Sequence, residues 1–133
     1  MPRHRSPRDN AQDGSASTEL VIVFPAILLG LLLVFQFGLW YHARHVALAA
    51  CEEGVRAARV ETGSATAGAA RATRFLRTLG PTIVANPVVQ ASRDQDVARV
   101  EVSGQALNVI PWLRLPIRQA AHGPVERFRG ATQ

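Results

Sequence analysis

Lysine is absent from the 133 residues, and all 15 basic side chains are arginine. A lysine-free chain rich in alanine and arginine reflects GC-rich coding, so a formal net charge of +5 is by itself weak support for a nucleic-acid partner. Cysteine occurs once, as Cys51. A lone cysteine excludes an internal disulfide framework and leaves a buried thiol, an intermolecular bridge or a lipid attachment point. The sequence also lacks G-x-S-x-G, a phosphate-binding glycine loop, H-E-x-x-H and any C-x-x-C pair. His42 and His45 stand three apart on a predicted helix, but two imidazoles without a third ligand do not make a metal site. These absences argue against an enzyme; no cofactor, no metal and no small-molecule substrate is expected.

What the chain does have is one long apolar run, LVIVFPAILLGLLLVFQFGLWY from Leu20 to Tyr41, in which Gln36 is the only strongly polar interior residue. As a helix it would extend about 33 Å, enough for a hydrocarbon core of about 30 Å. The remaining residues, rich in Ala, Arg and Gly, cannot cover every face of so greasy a helix, so the run reads as a single membrane span. Pro25 lies in its first turns, where a bend costs less than at mid-helix. Arg3, Arg5 and Arg8 precede the run and only Arg44 follows closely. That asymmetry predicts a cytoplasmic N-terminus, a C-terminal part outside the cell membrane, and Trp40 and Tyr41 at the outer interface.

Glu19 sits at the cytoplasmic mouth of this run with no basic residue within three or four positions. An acid at the centre of a span costs about 2.5–3.5 kcal/mol on insertion scales, and less at the edge, so its presence there points to function. The alternative is an ordinary first-turn acid favoured by the helix dipole, with Ser15 or Ser17 as N-cap. Gly14 lies five residues before Glu19, separated by the small residues Ser15, Ala16, Ser17 and Thr18. A cut after Gly14 would make Ser15 a new α-amino terminus and Glu19 the fifth residue of the mature chain.

The stretch from Asp13 to Ala58 resembles the TadE-like family of minor pseudopilins of tight-adherence (Flp, type IVb) pilus systems. The resemblance rests on the small-residue G-S-A-S-x-E-L start, the early proline, the F-x-x-x-Y spacing from Phe37 to Tyr41, an A-R pair, an alanine stripe and a closing E-G-x-R-A-A. It implies a leader removed by a prepilin peptidase at Gly14, with Glu19 as the family's acid. It further implies other pilins or pseudopilins and the pilus assembly platform as partners, and the cytoplasmic membrane as the store. Inside a helix bundle the new amine of one subunit can neutralise the glutamate of its neighbour and so set register.

Two other signals compete. Leu48-Ala49-Ala50-Cys51 matches a lipobox and Ala47-Leu48-Ala49 imitates a signal-peptidase site, which would make the chain an exported envelope lipoprotein or a signal-anchored binding module. His42, Arg44 and His45 separate both patterns from the apolar run, which is itself longer than a signal peptide's. Ala43, Ala47, Ala50 and Gly54 instead follow a 4-3-4 spacing, a helix-packing face that permits close approach. Cys51 beside it then packs as a small hydrophobe.

Helical periodicity continues to Val60, and a second helix is predicted over residues 64–79, ahead of the Gly80-Pro81 stop. Its Arg71, Arg74 and Arg77 share a side, a stripe that without interleaved aromatics reads as a solvated face and argues against nucleic acid. Residues 82–92 are β-branched and apolar, Ala98, Val100 and Val102 alternate with polar neighbours, and the polar residues 93–96 between them read as a hairpin turn. A third strand is expected over about 115–128, interrupted at Gly123-Pro124. It is reached through an apolar loop at Trp112, which is either a core lid or a contact surface. The predicted class is α+β: a basic leader over 1–14, a long transmembrane and extended helix over 15–60, and a second helix with a three-stranded antiparallel sheet over 61–133.

Overall fold

The computed structural model describes the backbone of residues 10–127 and side chains from Glu19 to Arg127. Arg3, His4, Arg5, Arg8 and Phe128 lie outside the described residues. The first helix, α1, covers Asn10–Arg59. It therefore starts ahead of Ser15, the beginning that the sequence predicts. Ser15 and Ser17 are then helix-interior positions in the uncut chain, not N-caps. Pro25 is carried inside the helix without ending it.

Contacts divide the chain into two units, residues 1–35 and 36–133. In the first, the side chains from Leu20 to Phe35 are exposed with the exception of half-buried Leu32. A helix with apolar side chains exposed on all sides has no stability argument in water; it needs lipid or other helices around it.

The second unit begins at Gln36. Here α1 acquires an inner face: Ala43, Ala47, Ala50, Cys51, Val55 and Ala58 are buried. The helix ends at Arg59, whose carbonyl accepts the N–H of Glu126, while Arg93 donates to the carbonyls of Val60 and Glu61. These bonds satisfy groups a helix C-terminus otherwise leaves open. Gly63 makes the turn possible, because a Cβ there would lie 2.5 Å from the carbonyl oxygen of Ala57.

The second helix, α2, covers Ala65–Leu79. Ser64 caps it by accepting the N–H of Ala67, and Gly80 closes it by donating to the carbonyl of Leu76. Three antiparallel strands follow in the order β1-β2-β3: Val84–Arg93, Val97–Ala106 and Pro116–Pro124. The hairpin after β1 closes where Asp94 donates to the carbonyl of Val97. Within β1 the pairing slips between Ala85 and Val88, at Asn86, whose φ is 49°, and Pro87, which has no N–H to offer. The third strand ends at Pro124, short of the expected reach to Phe128, for the same lack of a donor.

β2 is central, and its buried Ala98, Val100, Val102 and Ala106 lie on one face. That face meets α1 and α2 in a core where Ala43, Ala47, Ala50 and Cys51 pack with Leu76, Val84, Val102 and Ile117. The α+β class, the second helix and the three-stranded antiparallel sheet are as the sequence predicts.

Candidate functional site

The residues singled out in the sequence fall into two places. Gly14 and Ser15 are helical backbone near the start of α1, and Glu19 follows one turn later with its side chain exposed. None of the ion pairs among the described residues involves Glu19. The carboxylate stands at the entrance to the exposed apolar run.

Ala43, Ala47, Ala50 and Gly54 lie on the buried side of α1 in the second unit. Their small size brings the chain's own α2 and sheet onto the helix. At Gly54 the approach is closest: a Cβ added there would sit 2.9 Å from the carbonyl oxygen of Gly68 on α2 and 3.1 Å from a methyl of Val100 on β2. Gly68 mirrors it, with a Cβ position 2.8 Å from Ala58 Cβ. The two glycines form a crossing point where backbone meets backbone. Cys51 is fully buried in the same face and its thiol donates to the carbonyl of Gln119 at 3.3 Å.

Gln36 stands out in the sequence only as a polar residue out of place in an apolar run. The structure gives it a task. Its side chain is fully buried, its Oε1 accepts the N–H groups of Val109 (2.7 Å) and Ile110 (3.2 Å), and its Nε2 donates to the carbonyl of Leu107 (3.2 Å). One turn on, the Trp40 indole N–H donates to the carbonyl of Pro116 at 3.1 Å, and the Arg44 guanidinium lies 4.8 Å from the Trp40 ring centroid. α1 therefore holds the first part of the β2–β3 connection, and the start of β3 beyond it, by side-chain hydrogen bonds.

The charged groups serve the surface. Glu53 pairs with Arg56 at 3.1 Å and with Arg71 at 3.2 Å, which takes one member of the arginine stripe into an α1–α2 link. Glu101 on β2 is hydrogen-bonded by Arg118 on β3, which holds its carboxyl below the usual carboxylate range, with Arg99 adding to the effect. Among the described residues no three His, Cys, Asp or Glu side chains gather as a metal site would need.

The arrangement defines a class: a small α+β unit carried on a helix long and apolar enough to cross a membrane. Residues 14–56, less than half of the chain, match the family described as TadE-like protein, the family whose features the sequence resembles. The family is associated with Tad pili and is pilin-like and structural in character. No curated protein and no solved structure matches the chain.

Proposed function

We propose that the chain is a minor pilin or pseudopilin of a Tad (Flp, type IVb) pilus. It is held in the cytoplasmic membrane with its N-terminus inside, cut after Gly14 by a prepilin peptidase, and then drawn into the fibre. Adhesion or macromolecule export is the outcome such a fibre serves. The observation that carries this reading is where the TadE-like match starts. It begins at Gly14, takes in Glu19 and then the exposed apolar run.

Cutting after Gly14 leaves a cationic amine on Ser15, four residues before Glu19 and about 6 Å from it along a helix. In a bundle the amine of one subunit neutralises the Glu19 carboxylate of the next, and the pairing favours one axial offset over others because a slipped register strands both charges in an apolar medium. Lipidation of Cys51 is disfavoured on structural grounds: a cut before Cys51 would remove Gln36, Trp40, Ala43, Ala47 and Ala50 from the core that depends on them.

Co-expression with and without a prepilin peptidase, followed by intact-mass and N-terminal analysis, tests the proposal. The expected product with the peptidase begins at Ser15, Gly14→Val keeps its leader, and Glu19→Ala is processed but enters fibres poorly. Trimming of Gly14→Val as in the parent, or normal fibre incorporation of Glu19→Ala, overturns it.

A further inference from the structure

The connection between β2 and β3 reads LNVIPWLRL over residues 107–115, with only Asn108 and Arg114 polar. Ile110 is buried as a lid on the core, but Leu107, Val109 and Trp112 are 46%, 43% and 79% exposed. Loops between antiparallel neighbours are ordinarily polar, and an exposed cluster containing a tryptophan marks a contact surface.

This loop is fixed in place. Gln36 bonds three of its backbone groups, Trp40 bonds Pro116 at its far end, and Leu113 donates to the carbonyl of Ile110 within it. Gln36 is the residue directly after Phe35, the last residue of the bare apolar run. The loop is thus bonded to the residue that follows the bare apolar run directly in sequence.

Helix length agrees with this placement. The 16 residues Leu20–Phe35 rise about 24 Å as a helix, short of a hydrocarbon core of about 30 Å. Extending the apolar depth past Phe35 would bury Gln36 in lipid, at a cost, were its amide not already saturated by the loop. No acidic residue occurs between Ala106 and Val125, while Arg114 is exposed within the loop, a balance suited to phosphate headgroups.

We infer that the 107–115 loop is a membrane-interface element. Leu107, Val109 and Trp112 enter the boundary between headgroups and acyl chains of the leaflet through which α1 emerges. Tryptophan is favoured at that level because its ring is apolar and its N–H is not. The inference rests on the membrane-anchored reading of the apolar run and adds a second, reversible contact beside it.

The full chain in phosphatidylcholine vesicles, with lipids brominated near the headgroup end or near the methyl end of the acyl chain, provides the test. Trp112 is read in a Trp40→Phe chain. Because that change removes the bond to Pro116, Trp112 is read also as the difference between the unaltered chain and Trp112→Phe. The expected result is strong quenching of Trp112 by shallow bromines, weak quenching by deep ones, and loss of most of its access to acrylamide. A Leu28→Trp reporter in a chain without Trp40 and Trp112 monitors the span itself. If deep bromines quench the span reporter while Trp112 is open to acrylamide and untouched by any bromine, the loop inference falls and the anchor stands. If neither the span reporter nor Trp112 is quenched, the membrane reading falls with it. Shielding of Trp112 from acrylamide that vanishes on diluting the chain in the vesicles, without lipid quenching, assigns the loop to a second copy of the chain and overturns the proposal.

Discussion

The Gln36 Oε1 accepts the amide of Val109 at 2.7 Å across 73 residues of sequence. With the second bond to Ile110, it is the point at which a residue of the apolar run becomes part of the folded unit. A side chain that looks like a flaw in a membrane span is a bracket for the loop above it.

Gln36→Leu removes the bracket while making the run more apolar. It strips two loop N–H groups of their acceptor, each costing about 1–3 kcal/mol where it stays buried. The expected outcome is a lower denaturant midpoint for the full chain in detergent, with faster hydrogen exchange at Val109 and Ile110 and undiminished membrane insertion. Unchanged exchange at those two amides would show that the bracket is dispensable.

Gly68→Ala pits two effects against each other. Alanine is favoured in a helix interior by about 1 kcal/mol, but its Cβ would meet Ala58 at 2.8 Å, and overpacking of this kind costs about 1–3 kcal/mol. Net destabilisation is expected, and likewise for Gly54→Ala. Gly30→Ala and Gly38→Ala, with nothing within 4 Å of the added carbon, should leave the unfolding midpoint level or raised.

Cys51 is expected to resist maleimide in the native chain and to react once denaturant opens the core. Its thiol is buried and hydrogen-bonded to Gln119. Cys51→Leu should cost about 1–3 kcal/mol through overpacking against the sheet. Rapid labelling under native conditions would contradict the packing of α1 on β2 and β3.

The Glu101 carboxyl is held below its ordinary range when folded, so its contribution to stability is present at neutral pH and is lost as pH falls through the depressed folded value. A parent-minus-variant comparison with Glu101→Gln should therefore show a small difference at neutral pH that shrinks in acid. Salt should shrink it too, because the group is surface-exposed with Arg99 and Arg118. A difference that grows in acid would reverse the sign of the argument.

Much of the fold is legible in local patterns. The Gly80-Pro81 stop and the Gly123-Pro124 break sit where α2 and β3 end, and the alternation of Ala98, Val100 and Val102 lies within β2. The start of α1 lies earlier than Gly14 and the serines suggest. What periodicity could not reveal is distance-bridging chemistry. The partners of Gln36 are more than 70 residues away, and Gly68 gains its meaning only from Gly54 beside it. Hydropathy alone carries the apolar run to Tyr41, yet the folded unit already claims it from Gln36.

The prolines of the sheet have one further consequence. A three-stranded sheet has two outer strands, and an unbroken outer strand invites pairing with any copy nearby. Here β1 is kinked at Asn86-Pro87, and β3 is bounded by Pro116 and Pro124. Two copies of this sheet brought side by side would thus meet interrupted edges and resist zipping into edge-to-edge aggregates.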